Sequence, residues 1–287
     1  MARPLLLVHA HPDDEVLTTG GVMAAQLAAD EPVCLVTCTL GEQGEVIPES
    51  LQHLAEDPDA LGRHRIGELE SALSELAAGQ GTVDQRFLGG AGRYRDSGMM
   101  GTAPNEDPRS FWQADLREAA DHLVRIIREV RPEVLLTYDH FGGYGHPDHI
   151  KAHRVAMYAA DLAGVRGYAH ELGAAWEIPR IYWAVMGAEP LAAGVAALGP
   201  HASTQWFDPA RPPGVPAADI DVTVDISAFL DRKRAAMTAH HTQVRVEQDR
   251  FSLSNDFDFP FLTTEHFQLV RGDPEADDTL FPDLSDG

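Results

Sequence analysis

Short unbroken apolar runs alternate with longer stretches whose apolar residues recur every three or four positions. Leu5 to His9, Val33 to Thr39, Val134 to Tyr138 and Ile181 to Met186 read as strands, the first of them apolar enough to be buried on both faces. Gln85 to Leu88 is a further strand candidate. Between them, Gly20 to Ala29 reads as a short helix. Arg63 to Ala77 carries Ile66, Leu69, Leu73 and Leu76 on one helical face, and Ala114 to Val130 is a helix stopped by Arg131-Pro132. Another helix opens at Asp148 and runs through Ala160. Ile220 to Ile226 alternates apolar and polar residues as a half-exposed strand, and Ser227 is placed to cap a helix over Ala228 to His240.

Strand, helix, strand in this order predicts an α/β fold, an open, mostly parallel Rossmann-like sheet with helices on both faces. The character changes after Ala188, so residues 1–188 are expected to form the core and residues 189–287 a smaller C-terminal part beside the active site. The proline-rich Pro209 to Pro216 reads as linker or surface loop. In open sheets of this kind ligands bind beyond the carboxyl ends of the strands. Four polar loops fall at that edge.

Two of those loops carry near-matching tetrapeptides. His11-Pro12-Asp13-Asp14 follows the first strand, and His146-Pro147-Asp148-His149 follows the run Val134 to Thr137 and the glycine-bearing Gly142 to Gly145. Imidazole and carboxylate are ligands for a hard-to-borderline divalent metal, and a hydrolytic site needs about three of them plus a base that is not a ligand. Spacing leaves open which of Asp13 and Asp14 binds, and which of His146, His149 and His153. Either aspartate could instead cap a helix. Arg65 on an amphipathic helix is ordinarily a surface ion-pair residue, and Asp96 in a glycine loop is ordinarily a turn former.

Composition narrows the partners. A net charge of −23 argues against a nucleic-acid surface or an anionic membrane, and 44% hydrophobic residues suffice for a sizeable core. No apolar run approaches the roughly 20 residues of a membrane span. The start lacks a signal pattern, and Cys34 and Cys38 share a strand too far apart to bridge, so a cytoplasmic protein with reduced core cysteines is expected. A small-molecule substrate fits best. Oligomeric state is not readable.

His11-Pro12-Asp13-Asp14-Glu15 together with His146-Pro147-Asp148-His149 resembles the LmbE-like, or GlcNAc-phosphatidylinositol deacetylase, superfamily of zinc-dependent N-deacetylases. Thr37 to Glu42, Gly44 to Ile47, Arg65 to Leu69 and Gly89 to Gly98 are similar to its mycothiol-pathway branch. The resemblance runs from about Leu5 to Met186 and resumes at Ala239 to Val244. It implies metal-dependent hydrolysis of the acetamide of a GlcNAc-inositol in mycothiol biosynthesis. Alternatives are the sister amidase for mycothiol S-conjugates, a deacetylase of another GlcNAc conjugate, and a non-catalytic sugar-binding protein. It further implies His11, Asp14 and His149 as ligands of zinc, or of ferrous iron, with Asp13 as base. His146 and Tyr144 would serve the oxyanion or the leaving amine, and Asp148 would orient His146. Arg65, Asp96, Glu45, Met99 and Thr18 would contact substrate, Thr18 standing where close relatives are expected to carry serine.

Overall fold

A computed structural model describes residues 3–200, 202–203 and 213–273. The elements are β1 (Leu5–His9), α1 (Asp14–Ala28), β2 (Val33–Thr37), α2 (Pro58–Ala77), β3 (Val83–Phe87), α3 (Leu116–Val130), β4 (Val134–Thr137), the one-turn α4 (Gly142–Gly145), α5 (Pro147–Gly164), β5 (Arg180–Val185), α6 (Ala188–Ala197), β6 (Val222–Asp225), α7 (Leu230–Ala239), β7 (Arg245–Val246), β8 (Arg250–Ser252), β9 (Asp258–Pro260) and β10 (Thr264–Arg271). The main sheet has seven strands in the order β3-β2-β1-β4-β5-β10-β6, and β7-β8-β9 form a small second sheet.

From β3 through β5 the pairing is parallel, and β10 then runs antiparallel to both β5 and β6. The chain steps outward from β1 to β2 and β3, then returns to the other side of β1 with β4. That reversal opens a crevice at the carboxyl ends of β1 and β4. Alternation along β1 divides the core in two. Leu5 and Leu7 pack with α1, α2 and α7, while Leu6 and Val8 pack with α3 and α5. The expected open sheet, covered by helices on both faces, is what the chain forms.

Local chemistry sets the helix ends. Asp57 accepts from the Ala60 N–H ahead of Pro58, and Asp115 accepts from the Glu118 N–H at α3. Several boundaries differ from the sequence reading, α2 opening at Pro58 and not Arg63 and β3 at Val83 and not Gln85. α1 starts at Asp14, six residues before the expected Gly20, because Thr18 to Gly21 continue the helix rather than break it. A Cβ at Gly21 would come within 2.5 Å of Ile226, so glycine there permits close packing. Ser227 does not cap α7. It sits in a 3-10 turn, its N–H donated to Asp225, and the helix begins at Leu230. Of the Pro209 to Pro216 loop, residues 209–212 lie outside the described residues, and Val215 bridges to Gly187.

The C-terminal part is stitched into the sheet and onto α1. The buried Glu265 of β10 accepts from the N–H groups of Gly21 and Val22 and from Lys233 Nζ of α7 at 2.7–2.9 Å. Removing one partner of a buried ion pair strands the other charge, which costs about 3 kcal/mol or more. Lys233→Met is therefore expected to lower the urea-unfolding midpoint markedly, and an unchanged midpoint would show that the pair contributes nothing.

Candidate active site

The crevice between β1 and β4 gathers the two tetrapeptides. Asp13 follows β1 in a left-handed conformation, φ 123°, which disfavours any residue but glycine. Two contacts hold it there. Its N–H donates to Glu15 Oε2 at 2.9 Å, and its carboxylate lies 3.3 Å from Arg65 Nη2. Although Asp13 precedes α1, its side chain makes no cap. The helix-cap reading therefore fails for Asp13, whose carboxylate remains available to the crevice. Burial, opposed by Arg65, pushes its carboxyl up to about 7.

Asp14 sits between two imidazoles. Its Oδ2 accepts the His11 N–H at 2.8 Å and lies 3.3 Å from His11 Nδ1, while Oδ1 lies 3.3 Å from His149 Nε2. The hydrogen-bond network assigns the His149 tautomer. Its Nδ1 faces the Gly142 carbonyl at 3.2 Å and so carries the proton. Nε2 is then a buried lone pair without a hydrogen-bond partner, aimed at a carboxylate oxygen. His11 is arranged alike, with Nε2 on Asp148 Oδ2 at 3.3 Å and Nδ1 toward Asp14. Burial alone would lower the His11 pKa, yet Asp96, Asp14 and Asp148 outweigh it and hold it well above its ordinary value. Such a donor set attracts a cation. Ligand atoms of a tetrahedral ion with bonds of about 2.1 Å lie about 3.4 Å apart, which both contacts match.

His146 lies in the same cluster, its ring 4.6 Å from that of His11. Its Nδ1 accepts the Asp148 N–H at 3.1 Å and caps α5 ahead of Pro147. Nε2 therefore bears the proton in the neutral ring. Burial, with His11 and His149 nearby, depresses its pKa to about 2. Tyr144 lies at the mouth, edge-on to His149 with centroids 5.0 Å apart. The carboxylate of Asp148 does not orient His146 as expected. It binds His11 and the N–H and hydroxyl of Ser97, and only its backbone reaches His146.

The remaining candidates divide. Arg65 is buried, not a surface ion-pair residue, and its Nη atoms bind the carbonyls of Gly41 and Pro12 besides Asp13. Asp96 is buried 3.6 Å from His11 and accepts from the Gln43 and Gly98 N–H groups. Glu45 and Met99 are exposed, and the Thr18 hydroxyl donates to the Asp14 carbonyl. His153 is outside the cluster, on the Tyr138 carbonyl and beside Trp183. Three supporting residues escaped the sequence reading. Glu15 bridges Asp13 and the buried His240, Ser97 anchors Asp148, and Tyr138 stacks on His149 at 4.3 Å. Only the glutamate ending the first motif offered a signal.

Residues 6–160 match the family model for GlcNAc-PI de-N-acetylase. The chain is 52% identical over 281 residues to the 1D-myo-inositol 2-acetamido-2-deoxy-alpha-D-glucopyranoside deacetylase of Streptomyces scabiei, covering 95% of this chain and 86% of that protein. The chain belongs to the GlcNAc-PI de-N-acetylase family. Deacetylase 1 of the same description from Catenulispora acidiphila is 50% identical over 284 residues, 97% of this chain and 87% of that protein. Among solved structures, N,N'-diacetylchitobiose deacetylase from Pyrococcus horikoshii shares the fold, with a TM-score of 0.61 and 16% identity over 94% of this chain and 85% of that one. Among the described residues, no helix is long and apolar enough to cross a membrane.

Gly142 (φ +68°) lies against the second motif, where a Cβ would come within 2.5 Å of His149 Cβ and 2.8 Å of the Ile150 nitrogen. Gly142→Ala is expected to displace the His149 ring and cut deacetylase turnover at least about tenfold. Wild-type turnover would show that His149 tolerates the shift.

Proposed function

We propose that the chain hydrolyses the acetamide of 1D-myo-inositol 2-acetamido-2-deoxy-alpha-D-glucopyranoside to acetate and the free glucosaminyl-inositol, a step of mycothiol biosynthesis. The observation that carries the reaction class is the buried His149 Nε2 lone pair facing Asp14 beside an uncapped Asp13 carboxylate. The substrate rests on relatives about half identical over nearly the whole chain, all described by that reaction.

His11, Asp14 and His149 are the residues that would hold a divalent metal, zinc or ferrous iron. When bound, the metal supplies Lewis acidity to activate water and polarise the acetamide carbonyl. Asp13 takes the proton of the attacking water, for which a carboxyl pushed toward 7 by burial is well matched. As the carbonyl oxygen gains charge, it receives hydrogen bonds from His146 Nε2–H and the Tyr144 phenol. His146 stays neutral, because its Nδ1 is occupied by a donor and burial disfavours the cation. The leaving amine therefore takes its proton from Asp13. The C–N bond breaks as that proton arrives, and the base is regenerated.

Arg65 holds Asp13 in place, its Nη atoms being taken up by protein oxygens. Asp96 lies deep beside His11 and His146, where it can meet a sugar hydroxyl. Glu45 and Met99, exposed on neighbouring loops, and Thr18 on α1 complete the substrate set.

Acetate release from GlcNAc-inositol, measured with chelator, with added zinc and beside a mycothiol S-conjugate, tests the reading. Chelator-sensitive release well above cleavage of the conjugate is expected, and the reverse preference would sink the substrate assignment. Asp13→Asn is expected to lose at least a hundredfold in kcat while keeping its metal. Full turnover in that variant would remove Asp13 from the role of base.

A further inference from the structure

We propose that His64, Glu68 and His241 form a second divalent-metal site, away from the strand-end cluster and suited to zinc or a similar borderline transition ion. His64 and Glu68 are four residues apart on one face of α2, and His241 comes from the turn after α7. His64 Nε2 lies 3.5 Å and His241 Nδ1 3.6 Å from the same oxygen, Glu68 Oε1. Those separations are long for hydrogen bonds and near the about 3.4 Å between ligand atoms of a tetrahedral ion. All three ligand atoms lie within 4.8 Å of one another.

Glu68 is set in advance. It is buried, with Oε1 accepting the Thr242 N–H at 2.8 Å and Oε2 the Thr242 hydroxyl at 2.6 Å. Outer contacts of this kind fix a ligating carboxylate. The imidazoles are partly exposed, with side-chain exposures of 36% and 54%, so a fourth position opens to water. As plain hydrogen bonds, two ring nitrogens would share one oxygen that already accepts the Thr242 N–H. A single dication satisfies all three groups. Two imidazoles and one carboxylate favour a borderline ion over magnesium or calcium. The net charge of −23 favours any dication.

Occupancy would join α2 to the turn after α7. Each segment sends the next residue toward the base. Arg65, beside His64, contacts Asp13, and His240, beside His241, contacts Glu15 at 2.7 Å. The ion fastens those two segments and takes no part in the reaction.

Zinc alone, titrated into the purified protein by equilibrium dialysis with metal analysis, is the test. The parent is expected to bind one zinc more per chain than the double variant His64→Ala/His241→Ala, whatever the strand-end site holds. That last equivalent is expected to raise the thermal midpoint of the parent and not of the double variant. The variant is expected to keep the parent's turnover at one equivalent of zinc. Equal zinc stoichiometry, or an equal rise in midpoint, overturns the proposal. His241→Gln, at an exposed position, gives the same readouts should the double variant fold poorly.

Discussion

A carboxylate facing an imidazole lone pair is repulsive unless positive charge stands nearby, and the Asp14–His149 contact of the strand-end site is built on that tension. Asp14 lies 3.3 Å from a nitrogen of His11 and 3.3 Å from a nitrogen of His149, and neighbouring groups hold each ring in place. Asp148 holds the far nitrogen of His11, and the Gly142 carbonyl holds that of His149. Ser97 in turn holds Asp148, and Tyr138 stacks on His149. These residues follow three strands, β1, β3 and β4, and meet at the edge where the sheet reverses its strand order between β1 and β4. The topology thus brings carboxylates and imidazoles together in one buried cluster, a donor set suited to a cation.

Asp13, beside this cluster, rests on a different constraint. A non-glycine residue at φ 123° persists only where its surroundings outweigh the strain, commonly about 1–3 kcal/mol. Arg65 approaches the Asp13 carboxylate from α2. Glu15 takes the Asp13 N–H and is itself held by His240 from the end of α7. Two helices distant in sequence therefore steady one turn. Arg65, a contact for sugar in the sequence reading, binds the Gly41 and Pro12 carbonyls and Asp13 through its Nη atoms, while its buried Nε has no hydrogen-bond partner.

Much of this arrangement was legible in the sequence. Unbroken apolar runs at Leu5 and Val134 mark strands buried on both faces, and the paired tetrapeptides mark the ends where polar groups must converge. Periodicity recovered α2 and α3, whose apolar stripes are regular. It misplaced the start of α1, where the Thr-Gly stretch owes its helical state to the tertiary approach of Ile226 and Glu265. The second-layer contacts were illegible for the same reason. Ser97, Tyr138 and His240 act through neighbours far away in sequence, and no local pattern encodes such a meeting. Asp148 reaches His146 through its backbone N–H, while its carboxylate meets His11, a contact that local spacing does not reveal.

The order of residues along the chain also bears on how the enzyme comes into being. Domains begin to organise from the amino terminus during synthesis, and β1, β2, β3 and β4 with both tetrapeptides lie within the first 149 residues. His240, which holds Glu15, and β10, which places Glu265 against α1, arrive almost last. A nascent chain of about 150 residues thus already carries both tetrapeptides, yet lacks what steadies the strained turn. The contacts from His240 and β10 that steady that turn and α1 are made by the last part of the described chain.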